Sequence, residues 1–136
     1  MHPPYADIIR YSNEAGDLSH IHDVASFVLE MHLVAAESFR VLKSGRCCAI
    51  LIGDTRRHRH YVPIAFRVMK AFLECGFILK EDIIKHQWQC RSTPVWTRRS
   101  DEGGFLMLMH EHLFVFRKPE GNDSFWKYRE SMDWEP

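Results

Sequence analysis

Cys47-Cys48-Ala49-Ile50-Leu51-Ile52-Gly53-Asp54 is the stretch that decides the fold. Six consecutive apolar residues closed by Gly-Asp are too few for a buried helix. They suit a strand covered on both faces, as in a parallel sheet. Upstream, from Ile21 to Lys43, the apolar residues Val24, Phe27, Val28, Met31, Ala35 and Leu42 recur at helical spacing. Gly45 stands just past that segment as a stop, with Arg40 and Lys43 in its last turn. Downstream, Thr55-Arg56-Arg57-His58-Arg59-His60 reads as a polar turn. A second helix is expected from Val62 to Cys75, with Pro63 in its first turn and Gly76 ending it. Phe77 to His86 reads as a second strand and residues 87–104 as a basic, aromatic loop. A third strand is expected from Leu106 to Arg117, strongest at Leu113-Phe114-Val115-Phe116, and residues 119–136 form a polar tail.

Alternating helices and buried strands give an α/β expectation with about three strands and two main helices. No helix is expected between the last two strands, so they should pair antiparallel. Such a sheet is small, and one edge should remain open where a further parallel strand belongs. Apolar residues are 46% of the chain and charged residues 26%, a soluble globular composition. Eighteen basic and eighteen acidic side chains cancel, so any footprint for nucleic acid must be local. Cys47, Cys48, Cys75 and Cys90 include no C-x-x-C pair and read as reduced core thiols. No apolar run reaches about 18 residues and no signal core follows Met1, so a cytoplasmic protein that does not span a membrane is expected.

Against this background four segments carry a resemblance. His2-Pro3-Pro4-Tyr5, continuing through Ala6-Asp7-Ile8-Ile9-Arg10-Tyr11-Ser12, resembles the D/N/S-P-P-Y/F loop of the N6-adenine and N4-cytosine DNA methyltransferases. Val41-Leu42-Lys43-Ser44-Gly45 with Cys48 to Asp54 resembles that family's fifth strand and the helix end before it. Gly76-Phe77-Ile78-Leu79 is similar to the start of the sixth strand, and His110 to Phe116 to the antiparallel seventh. The similarity covers residues 2–118, with His2 where the family has Asp, Asn or Ser. It implies a partial Rossmann-like methyltransferase sheet over residues 1–118, the half that carries the catalytic loop. The family's glycine-rich F-x-G-x-G loop for S-adenosylmethionine is absent: the glycines at 16, 45, 53, 76, 103, 104 and 121 form no G-x-G between a strand and a helix.

The resemblance implies S-adenosylmethionine-dependent methylation of an exocyclic amino group of a DNA base, adenine N6 or cytosine N4, as in restriction-modification systems. An RNA target is also open, because guanine-N2 tRNA methyltransferases use a similar loop. The amino nitrogen is a poor nucleophile because its lone pair is delocalised into the ring. Two hydrogen-bond acceptors, one on each N–H, localise that lone pair. His2 as a neutral imidazole would be one, and a carbonyl of Pro3-Pro4, held by fixed φ angles, the other. Tyr5 would stack on a base flipped from the duplex.

Ligands of open α/β sheets sit at the carboxyl ends of the strands. Arg56, Arg57, Arg59, Arg91, Arg98 and Arg99 are expected on that rim as phosphate contacts, with Trp88 and Trp96 as stacking or wedging groups. The alternative is a solvated charged loop with two aromatics over the core. His20/His22, His58/His60 and His110/His112 are H-x-H pairs, but the sequence completes no metal site around them, so no metal is expected. Asp54 reads chiefly as a turn or capping residue. Partners are expected to be DNA, together with a donor-binding half or a second copy at the open sheet edge. A non-catalytic subunit or remnant that binds nucleic acid or another chain is the competing expectation.

Overall fold

The computed structural model describes residues 1–4, 12–14, 16–88 and 93–133. Helix α1, Val24–Val41, starts where the Asp23 carboxylate accepts the Ser26 N–H at 2.7 Å and the Ser26 hydroxyl at 2.9 Å. That N-cap satisfies a donor the helix cannot, and it sets the start three residues later than the apolar period alone suggests. Val24, Phe27, Met31 and Ala35 form its buried stripe. The orphan carbonyls at its end go to Lys118, whose Nζ donates to Phe39 O at 2.5 Å and Leu42 O at 2.8 Å. Gly45, at φ 74°, lies in the turn beyond and donates its N–H to Lys118 O.

The chain continues as β1 (Cys47–Ile52), a hairpin of β2 (Thr55–Arg57) and β3 (His60–Val62), helix α2 (Ile64–Glu74), and β4 (Ile78–His86). Helix α3 (Thr93–Gly103), β5 (His110–Arg117) and the short α4 (Phe125–Tyr128) follow. The strand order is β1-β5-β4, and β5 runs antiparallel to both neighbours. The antiparallel pairing of the last two strands is therefore present, but β5 is inserted between β1 and β4, which run parallel without touching. Several features differ from the sequence expectation, among them the third strand, which starts at His110 rather than Leu106. The polar turn after β1 is a hairpin, part of the basic loop is helix α3, and β1 is covered on one face only. In β1, Ile50 and Ile52 are buried while Ala49 and Leu51 are half-buried, the alternation of a strand with one packed face.

Helices α1 and α2 pack on each other over that face. The core holds Phe27, Met31, Ile50, Ile52, Val68, Phe72, Phe77, Phe114 and Phe116. Phe72 stacks on Phe116 at 4.9 Å, and Phe39 meets Phe77 edge-on at 5.0 Å. Free Cys47 is exposed, and Cys48 and Cys75 are half-buried, so the described thiols lie at the margin of the core rather than inside it. Burial still pushes the Cys48 and Cys75 thiols up. The outer edge of β1 carries one further link. The Met1 amino group donates to Ala49 O at 2.6 Å and Leu51 N–H donates to Met1 O at 3.0 Å. A residue that bonds in this way to j−1 and j+1 makes one step of a parallel ladder. No helix among the described residues is long and apolar enough to cross a membrane.

Candidate functional site

Because Met1 runs parallel to β1, the residues after it travel toward the carboxyl end of that strand. His2 arrives beside Glu111 of β5, with Nε2 at 3.7 Å from Oε1. Glu111 is 4% exposed, and its Oε2 accepts from Lys85 Nζ of β4 at 2.6 Å. Pro3 and Pro4 are half-buried; Tyr5 lies outside the described residues. The start of the proline loop and the end of β4 thus meet through one buried carboxylate on the central strand.

Next to it opens a cavity of about 260 Å³, lined among others by Asp54, Arg56, Trp96, Phe105, His110 and Glu111. Asp54 lies two residues past the end of β1, after Gly53. One carboxylate oxygen accepts the Ala65 N–H at 2.7 Å, capping α2 from a distance, and the other accepts the Tyr61 hydroxyl. Burial first, and then the Asp54 carboxylate, raise the Tyr61 phenol well above its usual range. Asp54 is thus a capping residue, one of the two plain readings of it, though it caps a helix ten residues away. His112 projects from β5 onto the helix face between Phe66 at 5.0 Å and Phe114 at 5.2 Å.

The expected rim residues divide. Arg56 and Trp96 line the cavity, but the Arg56 guanidinium donates to Leu106 O at 2.7 Å and Arg59 O at 3.2 Å and lies over the Phe105 ring. Arg57 donates to His22 O. These two are tied to the fold. Arg59 sits exposed at the hairpin tip with φ 67°. Arg98 and Arg99 are exposed on α3, Arg98 paired with Glu102 at 3.8 Å and Arg99 over the Trp96 ring at 5.2 Å. Trp88 is exposed beside His86. Arg91 lies outside the described residues. Lys85 and Asp82 carry no motif, and the strand register was needed to find them; Glu111 lay within the resemblance to the seventh strand, but no role was read for it. The His110-Glu111-His112 alternation was visible, but which face met which partner was not.

No protein-family model matches the sequence, and no curated protein matches it significantly. Among solved structures the fold is similar to that of one candidate DNA modification methylase. TTHA0409 of Thermus thermophilus, a candidate DNA modification methylase, superimposes with a TM-score of 0.62 and 25% identity over 95% of this chain. The structure of the same protein with S-adenosyl-L-methionine gives 0.61 and 25% over 90%, and a further structure of it 0.61 and 23% over 90%. The chain spans just under half of that protein's length, 47% in the first comparison.

Proposed function

We propose that this chain carries the target-base half of a methyltransferase that acts on an exocyclic amino group of a DNA base, adenine N6 or cytosine N4. The observation that carries the reading is the likeness to a DNA modification methylase over 95% of the chain, joined to the arrival of His2-Pro3-Pro4 at the carboxyl end of β1. His2 and a carbonyl of the proline pair accept the two N–H bonds of the base, and Tyr5 stacks on it. Glu111 beside His2, itself neutralised by Lys85, keeps the imidazole in place. Arg59, Arg98 and Arg99 contact backbone phosphates, and Trp88 and Trp96 flank the opened duplex. Arg56 and Arg57 hold the hairpin that shapes the rim.

The sequence has no G-x-G between a strand and a helix, which supports a reading in which the methyl donor is held outside these residues. The glycines at positive φ are Gly45, Gly76 and Gly104, and none opens a helix after a strand. S-adenosylmethionine therefore belongs to a donor-binding half, which adds a parallel strand to the outer edge of β1 in continuation of the Met1 step. The test is nucleoside mass spectrometry of DNA from cells that express the gene in its own genomic setting. N6-methyladenine or N4-methylcytosine is expected, and Tyr5→Ala should abolish it. Unmodified DNA from the native gene would overturn the enzymatic reading. If DNA binding persisted there, with a salt slope that fell by about one per lost contact in Arg98→Ala and Arg99→Ala, the non-catalytic subunit would stand in its place.

A further inference from the structure

The structure assigns a divalent transition-metal site, of the zinc class, to Asp54, His110 and His112. A carboxylate oxygen and one ring nitrogen from each histidine lie within 4.8 Å of one another. His110 and His112 share a face of β5, two residues apart. The register that pairs Ile52 with His112 carries Asp54 to the level of His110. The two histidines come from β5, and Asp54 from the two-residue link between β1 and β2, where its carboxylate is held by the Ala65 N–H and the Tyr61 hydroxyl.

The second observation is an orphaned atom. The His112 side chain is 6% exposed, and its Nε2 is buried without a hydrogen-bond partner. Its Nδ1 lies 3.0 and 3.2 Å from the two carboxylate oxygens of Asp82. Asp82 can only accept, so Nδ1 carries the proton, and a neutral ring presents its lone pair through Nε2. That lone pair faces Asp54 Oδ2 at 4.0 Å, on a side chain 3% exposed. Asp54 Oδ2 also accepts the Tyr61 hydroxyl, so the unmet atom is His112 Nε2, and a cation between the two would satisfy it while meeting the carboxylate. A second proton on His112 would answer this but would leave His110 without a role. A metal ion uses all three groups.

The surroundings match those of metal sites. A carboxylate behind a ligating histidine fixes its tautomer and raises its basicity, the part Asp82 plays here. Phe66 and Phe114 supply an apolar wall. Two histidines and one carboxylate suit zinc or another borderline ion rather than calcium or magnesium. Zinc ligands at about 2.0–2.1 Å from the ion lie roughly 3.3 Å apart, so the side chains close by about 1 Å. Asp54 and His110 line the 260 Å³ cavity, and the remaining coordination position opens into it for a water or an anionic oxygen. None of the three ligands belongs to the proline loop, so the inference is independent of the methyl-transfer reading.

The chain, stripped with chelator, is titrated calorimetrically with zinc at neutral pH, and its cobalt form is read by visible absorption. One zinc per chain is expected, with the ligand-field bands of a low-coordinate cobalt site. His110→Ala, at a half-exposed position outside the core, should weaken binding at least about ten-fold, as should Asp54→Asn. Asp82→Asn, which removes the positioning carboxylate, should cost about ten-fold while the cobalt bands persist. His58→Ala/His60→Ala, on the exposed hairpin, should change nothing. The proposal falls if zinc binds at well below one per chain. It falls equally if His110→Ala and Asp54→Asn, folded by circular dichroism, bind as tightly as the parent, or if the hairpin pair proves to hold the ion.

Discussion

The two faces of the β1-β5-β4 sheet have nearly the same apolar character and opposite fates. On one, Ile50, Ile52, Phe114 and Phe116 are at most 1% exposed beneath α1 and α2. On the other, Ala49, Leu51, Leu113 and Val115 are half-buried and Ile83 is 47% exposed. The period of two puts these sets on opposite sides of the same strands, so the strand sequences cannot explain the difference; the layers packed against them do. The helix face is where this chain derives its stability. The other face, with the outer edge of β1 beside it, is the surface that a further layer of the proposed complete enzyme would cover.

Breaking the covered face should have the largest effect. Phe116 is fully buried and stacks on Phe72, so Phe116→Ala should cost about 3–5 kcal/mol in urea unfolding. Leu113→Ala, three residues away on the other face, removes a half-buried side chain and should cost about 1 kcal/mol. Equal losses would mean that both faces are packed alike. Between these lies Glu111, the buried charge on the less covered face. Lys85→Met removes its 2.6 Å partner and should cost about 1–3 kcal/mol, less than a fully buried pair because Lys85 is half exposed. An unchanged midpoint would show that the pair contributes nothing.

This asymmetry also marks what could be read in advance. Phe27, Met31 and Ala35 announced α1, and the run from Cys47 to Ile52 gave β1 with its observed ends, because local periodicity reports local structure. The same run suggested two covered faces, because strand partners are set by long-range pairing. Insertion of β5 between β1 and β4 brings residues more than sixty positions apart into register, as Ile50 and Phe114 are. Helix α3 was hidden by Pro94, two arginines and the Gly103-Gly104 ending, all of which resemble loop chemistry; a proline in the first turn is compatible with a helix. The hairpin was hidden because its turn places His58 and Arg59, not glycine or asparagine, at positive φ. At the site, the resemblance put His2-Pro3-Pro4 at the carboxyl edge of the sheet, and the Met1 step on β1 leads His2 toward that end. The Asp54-His110-His112 cluster was not legible, because its third member arrives only through the register.

The smallest expected effect separates the faces by pH. The Asp17 and Asp23 carboxylates fasten the segment that leads into α1, above the covered face; Asp123 holds Arg117 on the other at 2.8 Å. The Ser19 backbone N–H lowers Asp17, the Ser26 N–H lowers Asp23, and the Glu120 N–H, followed by Arg117, lowers Asp123. A carboxyl group that binds its proton more weakly when folded stabilises the fold above its unfolded value, about 3.9, and loses that contribution as the pH falls toward the folded value. The melting temperature should therefore hold from neutral pH down to about 5 and decline below 4. Asn caps a helix nearly as well as Asp but does not titrate. Asp23→Asn should keep the neutral-pH melting temperature and flatten the decline, and Asp123→Asn should flatten it too while also weakening the hold on Arg117. If both variants decline as steeply as the parent, the acid sensitivity arises elsewhere, and these carboxylates are exposed groups whose bonds add nothing to either face.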